Sequence, residues 1–343
     1  VRRILGLLGA AVCIVGAAVL TWPQFFHLER MLPVAQVIAF RGPIAVVFGA
    51  LALVFLLLAL ARPMRVFALT LALVLGAAAV VNGGILAGRG LGNDAMPEKT
   101  ETSIRVLTWN TAGSATTADT IAQIAVAMRA DIVTLPETTI QTGEQVAVTM
   151  RELGAPMWAH HAAYGEYGVD GWDATSTTML ISPELGDYSV IASSQDGTSN
   201  TSTVPSAVAM PVDGQGPTVV AAHAVAPRGE YMQAWRDDLQ WLADQCASGN
   251  VILAGDFNAT LDHMQGMGVD GGVLGRCGAT TVETGNGAVG TWPTAMPALL
   301  GAPIDHILAT PDWTATGSAV LTSLDGQGGD HRPLVVQLEP SGN

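Results

Sequence analysis

The chain has 343 residues, 49% of them hydrophobic and only 13% charged, with a formal net charge of −14. That length holds one sizeable domain and something more. The acidic balance counts against a protein that grips duplex nucleic acid through its phosphates, because such binding needs a cationic surface.

Residues 1–87 differ in composition from the rest. Segments 4–21, 43–61 and 66–87 are uncharged apolar runs, each of the ~20 residues needed to cross a hydrocarbon core. Three such runs in succession predict three transmembrane helices rather than three buried helices of a soluble protein. Arg2 and Arg3 precede the first run, and Arg62 and Arg65 lie between the second and third. The loop at 22–42 holds Arg30 and Arg41 with Glu29. This modest bias orients the N-terminus and the second loop inward and puts everything after Gly88 outside the cytoplasm. Trp22, Phe25 and Phe26 suit an interfacial belt. A cleaved signal peptide is the rival reading of the first run, but no small-x-small cleavage site is evident and two more runs follow. The initial Val1 is consistent with a non-ATG start read literally.

Residues 88–103 read as a linker and 104–339 as a soluble domain. From Gly88 onward there are 9 Lys and Arg against 28 Asp and Glu, a balance of −19. The alternation of 104–110 predicts a strand, and 117–129 has helical spacing. Residues 131–135 follow as a strand and 141–153 as a second helix. Strands are expected over 176–181, 204–210 and 218–223, an amphipathic helix over 231–246, and strands over 251–254, 304–309 and 334–338. Glycine-rich loops at 196–202 and 266–278 separate them. Many strands with few helices, beginning and ending in β, predict two packed sheets with helices outside. Cys13 lies in the first apolar run; Cys246 and Cys277 are an even pair in a compartment read as oxidising, which makes a disulfide plausible.

Short polar motifs stand at the ends of the apolar runs: Trp109-Asn110, Leu135-Pro136-Glu137, Ala222-His223-Ala224, Gly255-Asp256-Phe257-Asn258, Ile304-Asp305-His306 and Gly329-Asp330-His331-Arg332-Pro333. Taken alone, Glu137 is an ordinary strand-end carboxylate, Asn110 a turn residue and His223 a satisfied imidazole. Together they are the kit for metal-assisted attack of water on a phosphate.

In this order the motifs resemble the endonuclease/exonuclease/phosphatase superfamily, the fold shared by DNase I, exonuclease III, sphingomyelinases and inositol-polyphosphate phosphatases. The resemblance spans about residues 104–339. It implies a four-layer α/β/β/α sandwich, here preceded by the transmembrane helices. It also implies a metal site of Asn110, Glu137 and Asp330, whose oxygen donors suit Mg²⁺ or Mn²⁺. His331 matches the active-site histidine, with Asp305 holding its other ring nitrogen; it would abstract a proton from water or stabilise the transition state. Asp256 is the rival base, Asn258 a donor to a phosphoryl oxygen, and His223 a second donor. Three departures bear on substrate preference: Pro136 where relatives carry Gln, Gly329 where Ser is common, and Ala222 where Thr is usual.

His160, His161, Tyr164 and Trp172 stand where relatives carry recognition elements. Asp262-His263 resembles a loop-shaping pattern of membrane-tethered relatives, and Thr291-Trp292-Pro293 a pocket wall. Expected is a membrane-anchored, outward-facing phosphoesterase acting on a small or lipid-linked phosphate ester of the envelope. The alternatives are an extracellular nuclease, which a groove containing Arg105, Arg129 or Arg228 would favour, and a catalytically silent phosphate-binding domain. No protein partner is inferable.

Overall fold

A computed structural model describes residues 2–165, 173–191 and 200–342, and the chain divides into two compact units, Val1–Gly88 and Arg89–Asn343. The expected recognition residue Trp172 and most of the loop at 196–202 lie outside the described residues.

The first unit contains helices α1 (Arg2–Thr21), α2 (Val34–Ile38), α3 (Arg41–Leu58) and most of α4 (Arg65–Arg89). Ala17, Ile44, Phe48, Ala52, Leu71, Leu75 and Ala78 form its core. Two stretches, Arg41–Leu58 and Arg62–Arg89, are long and apolar enough to cross a membrane, each with a mean hydropathy of 2.2. The described apolar part of α1, Gly6–Thr21, is shorter, so three spans are not all matched by length. Arg41 is not a loop cation. It opens α3, is buried, donates to Asn82 Oδ1, and Asn82 Nδ2 in turn donates to Thr21 Oγ1 at 3.1 Å.

The second unit is the four-layer α/β/β/α sandwich. In chain order its strands are β1 (Ile104–Thr108), β2 (Ile132–Pro136), β3 (Trp158–Ala163), β4 (Ser176–Ile181), β5 (Tyr188–Val190), β6 (Ala207–Pro211), β7 (Thr218–His223) and β8 (Val251–Asp256). Then come β9 (Met267–Gly268), β10 (Leu274–Gly275), β11 (Gly278–Ala279), β12 (Asp305–Ala309), β13 (Trp313–Val320) and β14 (Leu334–Pro340). One six-stranded sheet has the order β13-β14-β1-β2-β4-β3 and the other β11-β12-β8-β7-β6-β5.

The period of two along each strand sorts residues between two cores. Val106, Ile132, Met179, Val336, Ala221, Ala254 and Ile307 point between the sheets. Their neighbours Leu107, Val133, Leu180 and Val335 point outward, against Ile121 and Ala125 of α5 (Ala118–Ala127) and Val146 and Met150 of α6 (Ile140–Glu152). Each fully buried aliphatic side chain contributes roughly 1.5–3 kcal/mol. Both helices start on a threonine cap: Thr117 Oγ1 accepts from Thr120 N, and Thr139 Oγ1 from Thr142 N. This satisfies an otherwise orphaned amide. On the other flank, α7 (Met232–Gln245) buries Trp235, Leu239 and Leu242.

The expected linker is a docked segment. Arg105 Nη2 donates to the Pro97 carbonyl, Gln337 Nε2 to that of Glu98, and Lys99 pairs with Asp131. The edge strands β3, β5, β11 and β13 are additional to the expected ones, as is the short pair β9-β10 within the expected loop at 266–278.

Cys246, after α7, is disulfide-bonded to Cys277, beside β11, across a separation of 31 residues. A loop of that size stabilises the fold by about 3–4 kcal/mol in the chain-entropy account. Denatured protein is therefore expected to show one reactive thiol, that of Cys13, and three after reduction. Reduction of the folded protein should lower its Tm. Three thiols without reductant would refute the pairing.

Candidate active site

The site is the inter-sheet core continued past the strand ends. Register pairs His223 on β7 with Asp256 on β8, and Asp256 with Asp305 on β12. Each lies two residues beyond an inward-facing core residue (Ala221, Ala254 and Ile307), so all three point between the sheets. A Cβ on Gly255 would stand 1.9 Å from the Ala222 carbonyl oxygen, so only glycine permits this approach of β7 and β8 beside the site. From the other sheet, Asn110 follows β1, Glu137 follows β2 and His331 precedes β14.

Asp256 is the hub. Its Oδ1 accepts from Asn258 N at 2.8 Å, and its Oδ2 from Asn110 Nδ2 at 3.0 Å and Asn258 Nδ2 at 3.3 Å. Its Oδ2 stands 3.8 Å from His331 Nε2. His331 Nδ1 donates to Asp305 Oδ2 at 2.8 Å. The imidazole thus lies between two buried carboxylates. Asn110 Nδ2 also donates to Glu137 Oε1 at 3.0 Å, while its Oδ1 accepts from Ala112 N at 3.0 Å. In this orientation Asn110 presents its NH₂ group, rather than its oxygen, to the two carboxylates. Glu137 Oε1 is 3.9 Å from His223 Nε2, and the Glu137 side chain is 29% exposed, which opens the site to solvent there. Glu137 and Asn258 both adopt left-handed backbone, at φ 57° and 46°.

The two histidines are driven in opposite directions. Burial opposes the charge on His331, but Asp305 and Asp256 outweigh it and hold its pKa well above the ordinary histidine range. Burial, then the field of His331, pushes His223 down to about 3. Burial and the neighbouring Asp305 raise Asp256, partly offset by His331. Asp256, Asp305 and His331 also lie close enough to share a cation by distance alone. Without an ion, His331 itself bridges the two carboxylates.

Seven expected residues therefore come together: Asn110, Glu137, His223, Asp256, Asn258, Asp305 and His331. Asp330 is exposed, and Trp292 Nε1 donates to its Oδ2 at 2.9 Å, so its carboxylate is engaged by the wall residue rather than by Asn110 or Glu137. His160 and His161 lie on β3, where His161 Nδ1 bonds Thr178 Oγ1 and burial lowers its pKa to about 4. Tyr164 donates to the Thr201 carbonyl at 2.7 Å. Asp262 forms a two-pronged pair with Arg89, and His263 Nδ1 accepts from Thr260 N, so both are engaged in shaping the loop. Arg105 is buried among Gln337, Met128 and Pro97 and is not available to a nucleic-acid groove.

Arg332 follows His331 in the last motif. It is 1% exposed, pairs through Nε and Nη2 with Asp325, and donates to the Gly290 and Met296 carbonyls. It fixes the loop that carries Trp292. Thr291 Oγ1 accepts from the amides of Ile304 and Asp305, and its carbonyl from Arg332 N. Only the position of Arg332 beside His331 hinted at this.

A model of the endonuclease/exonuclease/phosphatase family matches residues 107–331. The chain belongs to that family. It is a metal-dependent phosphoester hydrolase. Among solved structures, it is similar to the family protein from Beutenbergia cavernae, at 18% identity over 71% of this chain and 72% of that one, with a TM-score of 0.53. The family protein from Leptotrichia buccalis gives 14% identity, 69% and 99% coverage and a TM-score of 0.53. TDP2 from D. rerio, solved with a single-strand DNA product, gives 15%, 70% and 100%, and 0.50. At these identities the likeness is one of fold. A search of curated proteins found no match.

Arg332→Lys keeps the charge but not the two-pronged geometry, so it should lower stability by on the order of 2 kcal/mol in thermal unfolding; an unchanged Tm would sink this role. In metal-free protein, the depressed pKa of His223 favours its neutral form when folded. Its contribution to stability is full above the unfolded value near 6.5 and is lost as pH falls towards about 3. His223→Asn should therefore show a shallower loss of Tm between pH 6.5 and 4.5, and parallel curves would contradict it.

Proposed function

We propose that this enzyme is a multi-pass membrane protein whose hydrolase domain, outside the cytoplasm, cleaves a phosphate mono- or diester that is small or lipid-linked. The observation that carries the reading is the continuous line Glu137–Asn110–Asp256–His331–Asp305, with His223 opposite it, open to solvent at Glu137. Membrane anchoring is supported by the two long apolar helices and by outward-facing Val12, Leu53, Val66, Leu73 and Val80. The disulfide supports an oxidising compartment.

The donor set fits a hard divalent ion such as Mg²⁺ or Mn²⁺. Glu137 offers a partly open carboxylate, Asn110 aims it, and Asp330 would join by releasing Trp292. When bound, such an ion neutralises phosphoryl oxygens and stabilises the leaving oxygen. His331, already cationic between Asp305 and Asp256, is a poor base and a good donor. It stabilises negative charge developing on the phosphoryl group. Asp256, raised towards neutrality, takes the proton of the attacking water. Asn258 Nδ2 donates to the Ala224 carbonyl at 3.0 Å and to Asp256 Oδ2 at 3.3 Å, which holds that carboxylate in place.

The acidic balance of the domain and the internal position of Arg105 weigh against an extracellular nuclease, which the fold shared with TDP2 keeps as the second reading. The test is hydrolysis by the full chain in detergent, with Mg²⁺ or Mn²⁺, of phospholipids, inositol phosphates, bis-nitrophenyl phosphate, RNA and plasmid DNA. A lipid or small ester should be preferred, and Asp256→Asn and His331→Ala should each lose roughly 10²–10⁴-fold. Preference for nucleic acid would favour the second reading. Metal-dependent hydrolysis of nothing in the panel, with metal bound, would favour a silent phosphate-binding domain.

A further inference from the structure

Helix α7 packs through Trp235, Leu239 and Leu242, and position 238 falls on the same face by helical spacing. An apolar residue is expected there, but the chain has Asp238, which is 1% exposed. Burying a carboxylate is unfavourable unless its oxygens are satisfied. Both of these are. Oδ1 accepts from Ser202 N at 2.7 Å and from Ser202 Oγ at 3.0 Å, and Oδ2 accepts from Val225 N at 3.0 Å. These donors favour the charged form and partly offset the upward push of burial on its pKa.

The two segments that Asp238 joins are the two that hold His223. Val225 lies two residues beyond His223, where β7 leaves its sheet. Ala224 N donates to the Asp256 carbonyl and Asn258 Nδ2 to the Ala224 carbonyl, both at 3.0 Å, so this exit is tied to β8 on one side and to α7 on the other. Ser202 belongs to the segment 200–206. There, Ser206 Oγ accepts from His223 N at 2.9 Å. The Pro205 carbonyl accepts at 2.6 Å from Thr177 Oγ1, which stands 3.5 Å from His223 Nδ1. Asn200 closes the segment on itself, its Oδ1 accepting from Ser206 N at 3.0 Å and its Nδ2 donating to the Ser206 carbonyl at 2.8 Å. A displacement at Ser202 is therefore passed on to Ser206 and to the backbone of His223.

We propose that Asp238 is a positioning residue for the hydrolysis, which holds His223 at the reacting group by clamping residue 202 to residue 225. The inference rests on the reading given above, in which His223 belongs to the site, and deepens it. A carboxylate is the side chain that this junction requires, because it accepts on both oxygens and brings no hydrogen of its own. Asparagine has one acceptor oxygen and would turn its NH₂ group towards an N–H, so one of the two segments is released. Leucine, which the apolar face of α7 would accept, releases both.

The test is a double-mutant cycle on the full chain in detergent, read by hydrolysis of bis-nitrophenyl phosphate with Mn²⁺. Asp238→Asn should lower kcat on the order of 10- to 100-fold, with KM and Mn²⁺ affinity unchanged. In a His223→Asn background the same substitution should cost nothing further, because the group it positions is gone. An equal loss in both backgrounds would overturn the proposal and leave the hydrolase reading intact. A His223→Asn enzyme as active as the unaltered one would overturn the placing of His223 in the site, and the proposal with it. Ring signals of labelled histidine give a readout without turnover. Among the seven histidines, that of His223 is identified by its loss in His223→Asn and that of His331 by its loss in His331→Ala. Asp238→Asn should shift the first and leave the second in place; an unmoved His223 signal would overturn the proposal whether or not this ester is cleaved. Ser202→Ala, at an exposed position, removes one of the three donors. It should shift the His223 signal in the same direction and by less, and decides the matter if Asp238→Asn does not fold.

Discussion

Strand register across β7, β8 and β12 is the constraint on which the site depends. It sets His223, Asp256 and Asp305 side by side on the inner face of one sheet. Like charges directly opposite each other on neighbouring strands destabilise a sheet, and here Asp256 and Asp305 are both buried. His331, arriving from the other sheet, supplies the offsetting charge. A shift of one residue in either pairing would turn a carboxylate out of the inter-sheet layer and strand the imidazolium without one of its partners. The polar groups of the site are thus placed by the same alternation that places the core: Ala221, Ala254 and Ile307 continue into His223, Asp256 and Asp305.

Around that fixed row, the loop from 290 to 296 is held by groups that do not face the reacting centre. Arg332 spends its guanidinium on Asp325 and on carbonyls of this loop, and Thr291 ties the loop to the start of β12. Residues 331 and 332 therefore divide one motif between the buried carboxylates and the support of this loop. Trp292 is the meeting point, because its indole N–H reaches Asp330 in the same motif. Removing the support of Arg332 moves a wall of the site without touching the imidazolium.

Much of this was legible in the chain. The polar residues closing the apolar runs at Asn110, Glu137, His223, Asp256, Asp305 and His331 are a strong signal, because buried strand ends rarely carry them without a use. Helices with clean 3.6-residue spacing, such as the one buried through Trp235, Leu239 and Leu242, were equally plain. The edge strands were not. β3 reads Trp-Ala-His-His-Ala-Ala and β13 Trp-Thr-Ala-Thr-Gly-Ser-Ala-Val, with small or polar residues on both faces and, beyond the four-residue alternation of Trp313 to Thr316, no sustained period of two. The docking of residues 97–99 was hidden because, apart from the Lys99–Asp131 pair, it uses backbone carbonyls, which have no sequence signature. Arg41 was misread as a loop cation because its partner, Asn82, lies 41 residues away.

The backbone at Glu137 and Asn258 shows how the site is maintained against local preference. Left-handed geometry costs a non-glycine residue roughly 1–2 kcal/mol, least for Asn, whose short side chain bonds locally. Asn258 does this through Asp256 and Ala224. Glu137 has no such local compensation from its own side chain. Its position is held instead by Thr111, whose hydroxyl donates to the Glu137 carbonyl at 3.2 Å, and by Asn110, which fixes the carboxylate. Glycine would remove the backbone cost at either position and with it the group that the site uses. Strain kept at these two residues, and offset by neighbours that over-determine them, fits selection for the aim of a carboxylate and an amide rather than for stability.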